Sequence, residues 1–325
     1  MLRLKVSRRE FLRKVTAGAG ALAGASFGIG KAFETSKEEG MIPKRPFGKT
    51  GVKLSIIGLG GVTVMKMPQK EVNALVDEAI ERGVNYVDVA PTYGNAEELL
   101  GPALKRHRGE IFLACKTHKR DKGEAAAELR ESLKKLQTDY FDLYQFHAIS
   151  SMQDVERIFG PEGALEAFLE AREKGLIRFI GFSAHSVKAA LAAMDRFDFD
   201  SILFPINFVL YFKENFGPQV VEKAKEKGVV RLAIKAMARS KWPEGADRSR
   251  FPKCWYQPAS DPKLASMALR FTLSQPITAA VPPGDPKLFK MAMKIASNYT
   301  PITDEEVEEL KKVAVDQEPI FKLDV

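Results

Sequence analysis

Cysteine is almost missing from this chain of 325 residues: Cys115 and Cys254 are the only two, and no C-x-x-C pair or His/Cys cluster with metal-ligand spacing occurs. That pattern excludes a disulfide-stapled scaffold and a zinc module, so no metal is expected. Long apolar runs are missing too: no window reaches the ~18 strongly apolar residues that a membrane-crossing helix requires. Basic runs with interleaved aromatics are also absent, and with them the footprint of a nucleic-acid binder. The formal charge of +8 does not change this, because residues 1–40 hold eight Lys/Arg against four Asp/Glu and so carry half of it.

What is present fits one barrel-sized domain with an appendage. The chain is 45% apolar, and ~250 residues suffice for a single (β/α)8 barrel. The division expected is a leader over residues 1–40 and one domain over 41–325. The leader reads S-R-R-E-F-L-R-K at positions 7–14, followed by the Gly/Ala-rich VTAGAGALAGASFGIG. Paired arginines, a serine before them, Phe-Leu just after and then a weakly apolar stretch form the pattern of a twin-arginine export signal. It implies passage through the twin-arginine machinery to the periplasm or the outer face of the membrane. Ala-Leu-Ala, Ala-Gly-Ala and Gly-Lys-Ala, ending at Ala32, are alternative cleavage sites, and an uncleaved leader would act as an anchor.

From residue 41 onward, strand and helix signals alternate. Short β-prone runs lie near 56–60, 84–88, 110–116, 140–147, 177–182, 200–204, 229–235 and 277–281. Helical stretches fill the gaps, such as 70–82, striped by Val72, Leu75, Val76 and Ile80, and 123–136. Eight strand and helix pairs predict a closed parallel (β/α)8 TIM barrel. Ahead of them, PFGKTGVKLSII reads as a β-hairpin cap. After them, TDEEVEELKKVAVDQ opens with a capping box at Thr303 and adds a C-terminal helix. The segment from Ala238 to Asp261 is long for a barrel connection, and loops of that length are more often functional than idle. It reads as a lid.

Four residues stand at the ends of successive strands: Asp88 and Tyr93 in D-V-A-P-T-Y-G, Lys116 ending EIFLACK, and His147 ending DYFDLYQFH. In a parallel barrel such ends converge on the face that carries the chemistry. A phenol beside an ammonium is a general acid whose pKa the cation pulls down from about 10. Asp88 would hold Lys116 charged, and His147 would hydrogen-bond the oxygen being protonated. Such a site makes an alcohol from a carbonyl if hydride is delivered from elsewhere. Cys115, one residue before Lys116, should point the opposite way, out of the barrel and against a helix.

PFGKTGVKLSIIGLGG, AIERGVNYVDVAPTYGNAEELLGPAL, FLACKT, LRESLKKLQTDYFDLYQFH and GLIRFIGFSAHS together resemble the aldo-keto reductase superfamily. The resemblance covers about residues 45–315. It implies NAD(P)H-linked reduction of a small-molecule carbonyl, with Asp88, Tyr93, Lys116 and His147 as the catalytic tetrad. The missing C-x-x-C cluster excludes the iron-sulfur domain that some such reductases append.

For the cofactor, the loops after strands seven and eight, which often bind phosphate in barrels, supply Lys235, Arg239, Gly284 and Lys287; Ser183 follows strand five. NADP(H) is slightly favoured over NAD(H) on this reading. Three departures from the family pattern stand out: Ser183 is followed by Ala184 instead of Asn, Leu203 takes the place of a common Gln, and Ile234-Lys235 replace an aromatic that stacks on nicotinamide. Asp285 and Pro286 follow Gly284 where a basic residue is usual. These departures keep two alternatives open: a nucleotide-binding regulatory barrel without turnover, and a proton-shuttling isomerase or lyase that uses no hydride. The substrate and the oligomeric state are not legible. An exported reductase would also need a retained cofactor or another electron source, because free NAD(P)H circulates in the cytoplasm.

Overall fold

The computed structural model describes residues 40–323; the leader lies outside the described residues. The first element is an antiparallel hairpin, β1 (Lys44–Pro46) and β2 (Lys53–Ser55), turning through Lys49-Thr50-Gly51. Seven barrel strands follow: β3 (Leu59–Gly60), β4 (Tyr86–Asp88), β5 (Phe112–Thr117), β6 (Phe141–Ile149), β7 (Ile177–Ala184), β8 (Ser201–Pro205) and β9 (Val230–Ile234). A second hairpin, β10 (Ala238–Lys241) with β11 (Tyr256–Pro258), interrupts the barrel before its last strand, β12 (Ala279–Val281).

Each barrel strand pairs in parallel with its sequence neighbour, and β12 pairs with β9. A parallel bridge from Ile57 to Ala280 closes the ring, with Gly58 N–H donating to Ala280 O at 2.9 Å. The eight-stranded barrel expected from the alternating runs is thus present, its strands within a few residues of the expected spans. The first is the shortest because residues 56–58 contribute bridging hydrogen bonds without regular ladder geometry.

Burial explains the helix pattern. Helix Gln69–Glu81 turns Val72, Leu75, Val76 and Ala79 inward, with Ala79 taking the buried place in preference to Ile80. Gly83, at φ +90°, ends the turn in a conformation that a side chain would strain. Thr303 caps helix Asp304–Val315 in a reciprocal capping box with Glu306, as its sequence predicts. Among the described residues no helix is long and apolar enough to cross a membrane.

The barrel interior is a packed core, plugged at the end opposite the catalytic rim by the first hairpin. Phe47, fully buried, sits 5.0 Å from the Phe112 ring and 5.2 Å from Phe179. Leu54, Tyr86, Leu143, Leu203 and Leu232 belong to the same apolar cluster. The chain beyond residue 315 crosses to the other end. There Lys241 N–H donates to Glu318 O at 3.0 Å, and Ser240 Oγ exchanges hydrogen bonds with the Glu318 backbone.

Because Phe47 fills the bottom of the barrel without a substitute, Phe47→Ala should lower unfolding stability by about 3–5 kcal/mol, the range for emptying a buried aromatic site. Urea unfolding followed by circular dichroism measures this; a loss under 1 kcal/mol would mean the hairpin is not the plug.

Candidate active site

The site is built on the inward faces of β4, β5 and β6. Side chains two apart on a strand share a face, so Tyr86 and Asp88 point inward together, as do Gln145 and His147. Register sets Lys116 beside Gln145. The Lys116 ammonium donates to Asp88 Oδ2, to the Val89 carbonyl at 3.2 Å and to Tyr93 Oη at 3.3 Å. The other Asp88 oxygen accepts from Gln145 Nε2 at 3.0 Å and from Tyr86 Oη at 3.4 Å. Tyr93 Oη lies 3.5 Å from His147 Nε2, with the two rings edge to face. The structure therefore brings all four strand-end residues together. Gln145 and Tyr86 support Asp88 and were missed in the sequence, although their two-residue offset from His147 and Asp88 was the available signal.

A second layer fixes the exit of β6. Ala148 adopts φ +53°, and the β6–β7 register shifts across it. Ser183 Oγ accepts the Ala148 N–H at 2.8 Å, and Arg120 donates to His147 O at 2.7 Å while pairing with Asp154. The bulge re-aims His147, a common use of such irregularities beside active sites. On the outer face of β5, Cys115 meets Glu97 of helix Ala96–Leu104 at 3.6 Å. Both cysteines are free and buried.

Electrostatics sort the protons. Burial raises the Tyr93 pKa more than Lys116 lowers it, so the phenol titrates above its usual range and not below it, as the neighbouring cation alone would have had it. Burial works against the Lys116 ammonium, but Asp88 and Tyr93 together outweigh it and hold the lysine charged. Burial, reinforced by Lys116, pushes His147 far below its ordinary value and keeps it neutral. Burial and Lys235 bring His185 down to about 3.

These groups open into a cavity of about 320 Å³ lined by Tyr93, Lys116, His147, Ser183, Lys235 and Trp255, among others. The Ala238–Asp261 segment is a folded flap over it. Trp242 Nε1 donates to Cys254 O at 2.8 Å within the flap, and Lys253 Nζ reaches Thr63 O at 2.8 Å across the mouth. Trp255 lines the cavity, whereas Trp242 only buttresses the flap. Phe321 stacks on His185 at 4.9 Å and meets Trp255 at 5.8 Å.

The residues expected to hold a nucleotide divide in two. Ser183 and Lys235 line the cavity, and Leu203 and Ile234 give it an apolar wall. Ser183 still has its own hydroxyl hydrogen to donate, so Ser183, Leu203 and Ile234 fit a flat amide-bearing ring. Arg239 turns away to Gln317 at 3.0 Å. Gly284 is required by packing, since a Cβ there would stand 2.4 Å from Val62 Cγ1. The N–H of Lys287 and that of Leu288 are taken by Asp285, which caps helix Pro286–Ser297. A phosphate at that helix N-terminus would meet a carboxylate already seated, and the residues there do not fit one.

A closed parallel barrel with a lysine-assisted phenol at its carboxyl rim defines a class: barrel enzymes that move a proton at a substrate oxygen. The aldo/keto reductase family model matches residues 56–254, and the chain belongs to that family, as an NAD(P)H-dependent oxidoreductase. It is 26% identical to the uncharacterized oxidoreductase YqkF of Bacillus subtilis over 309 residues, covering 82% of this chain and 95% of that one. It is 29% identical to the aldo-keto reductase YhdN of the same organism over 213 residues, 58% of this chain and 60% of that one. Among solved structures, the holo form of aldo-keto reductase AKR11C1 from Bacillus halodurans superposes with a TM-score of 0.66 at 25% identity, covering 86% of this chain and 98% of that one.

The neutral histidine gives a pH test. An imidazole held neutral in the fold but free to protonate when unfolded makes the unfolded state the better proton binder below about pH 6.5. Stability should therefore fall as pH drops from 7 to 5, by roughly 1.4 kcal/mol per pH unit from His147. His185, partly buried and lowered to about 3, adds to the same fall. Urea midpoints measured across that interval should show the fall, and His147→Phe should reduce its slope; equal slopes in both proteins would count against a neutral His147.

Proposed function

We propose that this protein reduces a small aldehyde or ketone to the alcohol with a nicotinamide nucleotide, Tyr93 giving its proton to the carbonyl oxygen. The observation that carries the reading is Tyr93 Oη, facing the cavity between Lys116 Nζ at 3.3 Å and His147 Nε2 at 3.5 Å. The nicotinamide, when bound, supplies hydride to the carbonyl carbon.

The chain's own residues do the rest. Burial keeps the proton on Tyr93 at neutral pH, so the phenol is loaded as an acid. As that proton leaves, the Lys116 ammonium stabilises the phenolate left behind, and Asp88 with Gln145 keeps the ammonium in place. Neutral His147, protonated at Nε2, donates a hydrogen bond to the same substrate oxygen and thereby orients the carbonyl. Ser183 would hold the amide of the ring, with Leu203 and Ile234 against its face.

The Asp285 cap weighs against the slight preference for NADP(H) read from the nearby lysines. We infer that NADH binds at least as tightly as NADPH, since a 2′-phosphate near Asp285 meets a like charge. A parallel fluorescence titration of the full chain with both nucleotides tests this, alongside Tyr93→Phe. The variant should lose about 10³-fold in reduction rate, within the 10²–10⁴ that a general acid typically contributes, with nucleotide affinity nearly unchanged. Absence of binding by either nucleotide would sink the reductase reading in favour of hydride-free proton transfer.

We also infer export through the twin-arginine machinery, supported by S-R-R-E-F-L-R-K at residues 7–14. Changing Arg8 and Arg9 to Lys together should retain the protein in the cytoplasm on cell fractionation; unaltered distribution would remove this reading.

A further inference from the structure

The cavity that holds Tyr93 Oη is lined by three lysines and by no carboxylate: Lys116, Lys235 and Lys253. Two of the three ammonium groups are engaged. Lys116 is paired with Asp88, and Lys253 donates to the Thr63 carbonyl at 2.8 Å. Lys235 is different. Among the described residues it makes no side-chain hydrogen bond and no ion pair, and its ammonium instead lies 5.2 Å from the Trp255 ring centroid and 5.6 Å from that of Tyr256. Aromatic faces attract a cation without neutralising it, and a partly buried charge without a counter-ion is costly to keep.

The backbone also holds this side chain in an unfavourable way. Lys235 has φ +64°, a region that glycine occupies freely and a side-chain-bearing residue does not. A strained turn at the end of β9 would be relieved by losing the side chain, yet a lysine stands there, aimed into the cavity. Strain of this kind at a site wall points from geometry toward function.

We propose that Lys235 binds an acid group carried by the carbonyl substrate, so that the enzyme acts on short-chain aldehydes or ketones bearing a carboxylate. This rests on the reading of Tyr93 as the acid at the carbonyl. Lys253 adds a second positive charge at the mouth, and Val62 and Met65 provide an apolar wall for the carbon chain between the two polar ends. The carboxylate is not altered in the reaction; it fixes the carbonyl toward Tyr93.

The site has its own pH signature. Burial and the neighbouring Lys116 depress the Lys235 pKa to about 8, against weaker opposing effects of Cys254 and Asp88. Apart from Lys253, the other groups facing it stay in one state between pH 7 and 9. His185 titrates at about 3 and His147 lower still; Cys254 is raised to about 12; Tyr256, Tyr93 and Lys116 are all raised. Burial also lowers Lys253, and loss of its proton would weaken anion binding in the same sense. Affinity for an anion should therefore fall as pH rises through about 8, as the ammonium loses its proton.

The test compares succinic semialdehyde with butanal, which is similar in length and uncharged, using the full chain, Lys235→Met and Lys235→Arg. Wild type should prefer the acid aldehyde at least tenfold in kcat/KM, chiefly through KM. Lys235→Met should bring that ratio close to one, and Lys235→Arg, which restores the charge, should recover part of it. A second readout needs no turnover: succinate, which cannot be reduced here, should change Trp255 fluorescence saturably in wild type at pH 7, more weakly at pH 9 and not in Lys235→Met. A ratio unchanged by Lys235→Met overturns the proposal. So does a ratio unchanged while NADH affinity drops, which would assign Lys235 to the nucleotide's diphosphate. If succinate binds through Lys235 but neither aldehyde is reduced, the anion site stands and the reductase reading falls.

Discussion

The buried pair of Lys116 and Asp88 is the interaction on which the site is built. An ammonium on the inner wall of a barrel can be kept charged only by a counter-ion equally buried, and removing one partner of such a pair typically destabilises a protein by about 3–5 kcal/mol. Asp88 in turn needs its second oxygen satisfied, which Gln145 does from β6, two strands away, and Tyr86 from two residues back. The register among β4, β5 and β6 that packs the core is the same register that assembles this cluster, so stability and chemistry depend on one alignment of strands.

The cluster also separates two tasks that a simpler view of the lysine would merge. A cation next to a phenol lowers its pKa, but here burial acts more strongly and the proton remains on oxygen. In the proposed reaction Lys116 is then less a device for ionising the resting tyrosine than a counter-charge for the moment after transfer. His147, kept neutral by the same burial and by the same lysine, can offer a hydrogen bond without competing as a proton donor.

Much of this was legible in the sequence, and the limits were physical. Strand runs, the helical stripe of residues 70–82, the Thr303 capping box and the outward turn of Cys115 all follow from local periodicity. Asp88, Tyr93, Lys116 and His147 were readable because each stands at or just past the end of an apolar run. The nucleotide side was less readable, since it depends on where loop side chains turn. Arg239 and Lys287 look alike as basic loop residues, yet one pairs with Gln317 and the other lends only its N–H to Asp285. Nothing local in the sequence announces that Ser183 holds the Ala148 N–H, because that bond depends on a register shift between two strands 35 residues apart. Likewise, Lys253 becomes a wall of the cavity only through the path of the flap back to Thr63.

The docking of the chain's last described residues onto β10 has a consequence beyond the cavity. A two-stranded flap standing clear of a barrel has two outer edges, each a row of backbone donors and acceptors that can recruit a strand from another molecule. On the β10 side, the Glu318 carbonyl takes the Lys241 N–H, the Glu318 side chain pairs with the Lys241 ammonium at 2.8 Å, and Ser240 closes the remaining gap. The tail thereby covers that edge, and a chain whose tail had come loose would leave it open to pairing with another molecule.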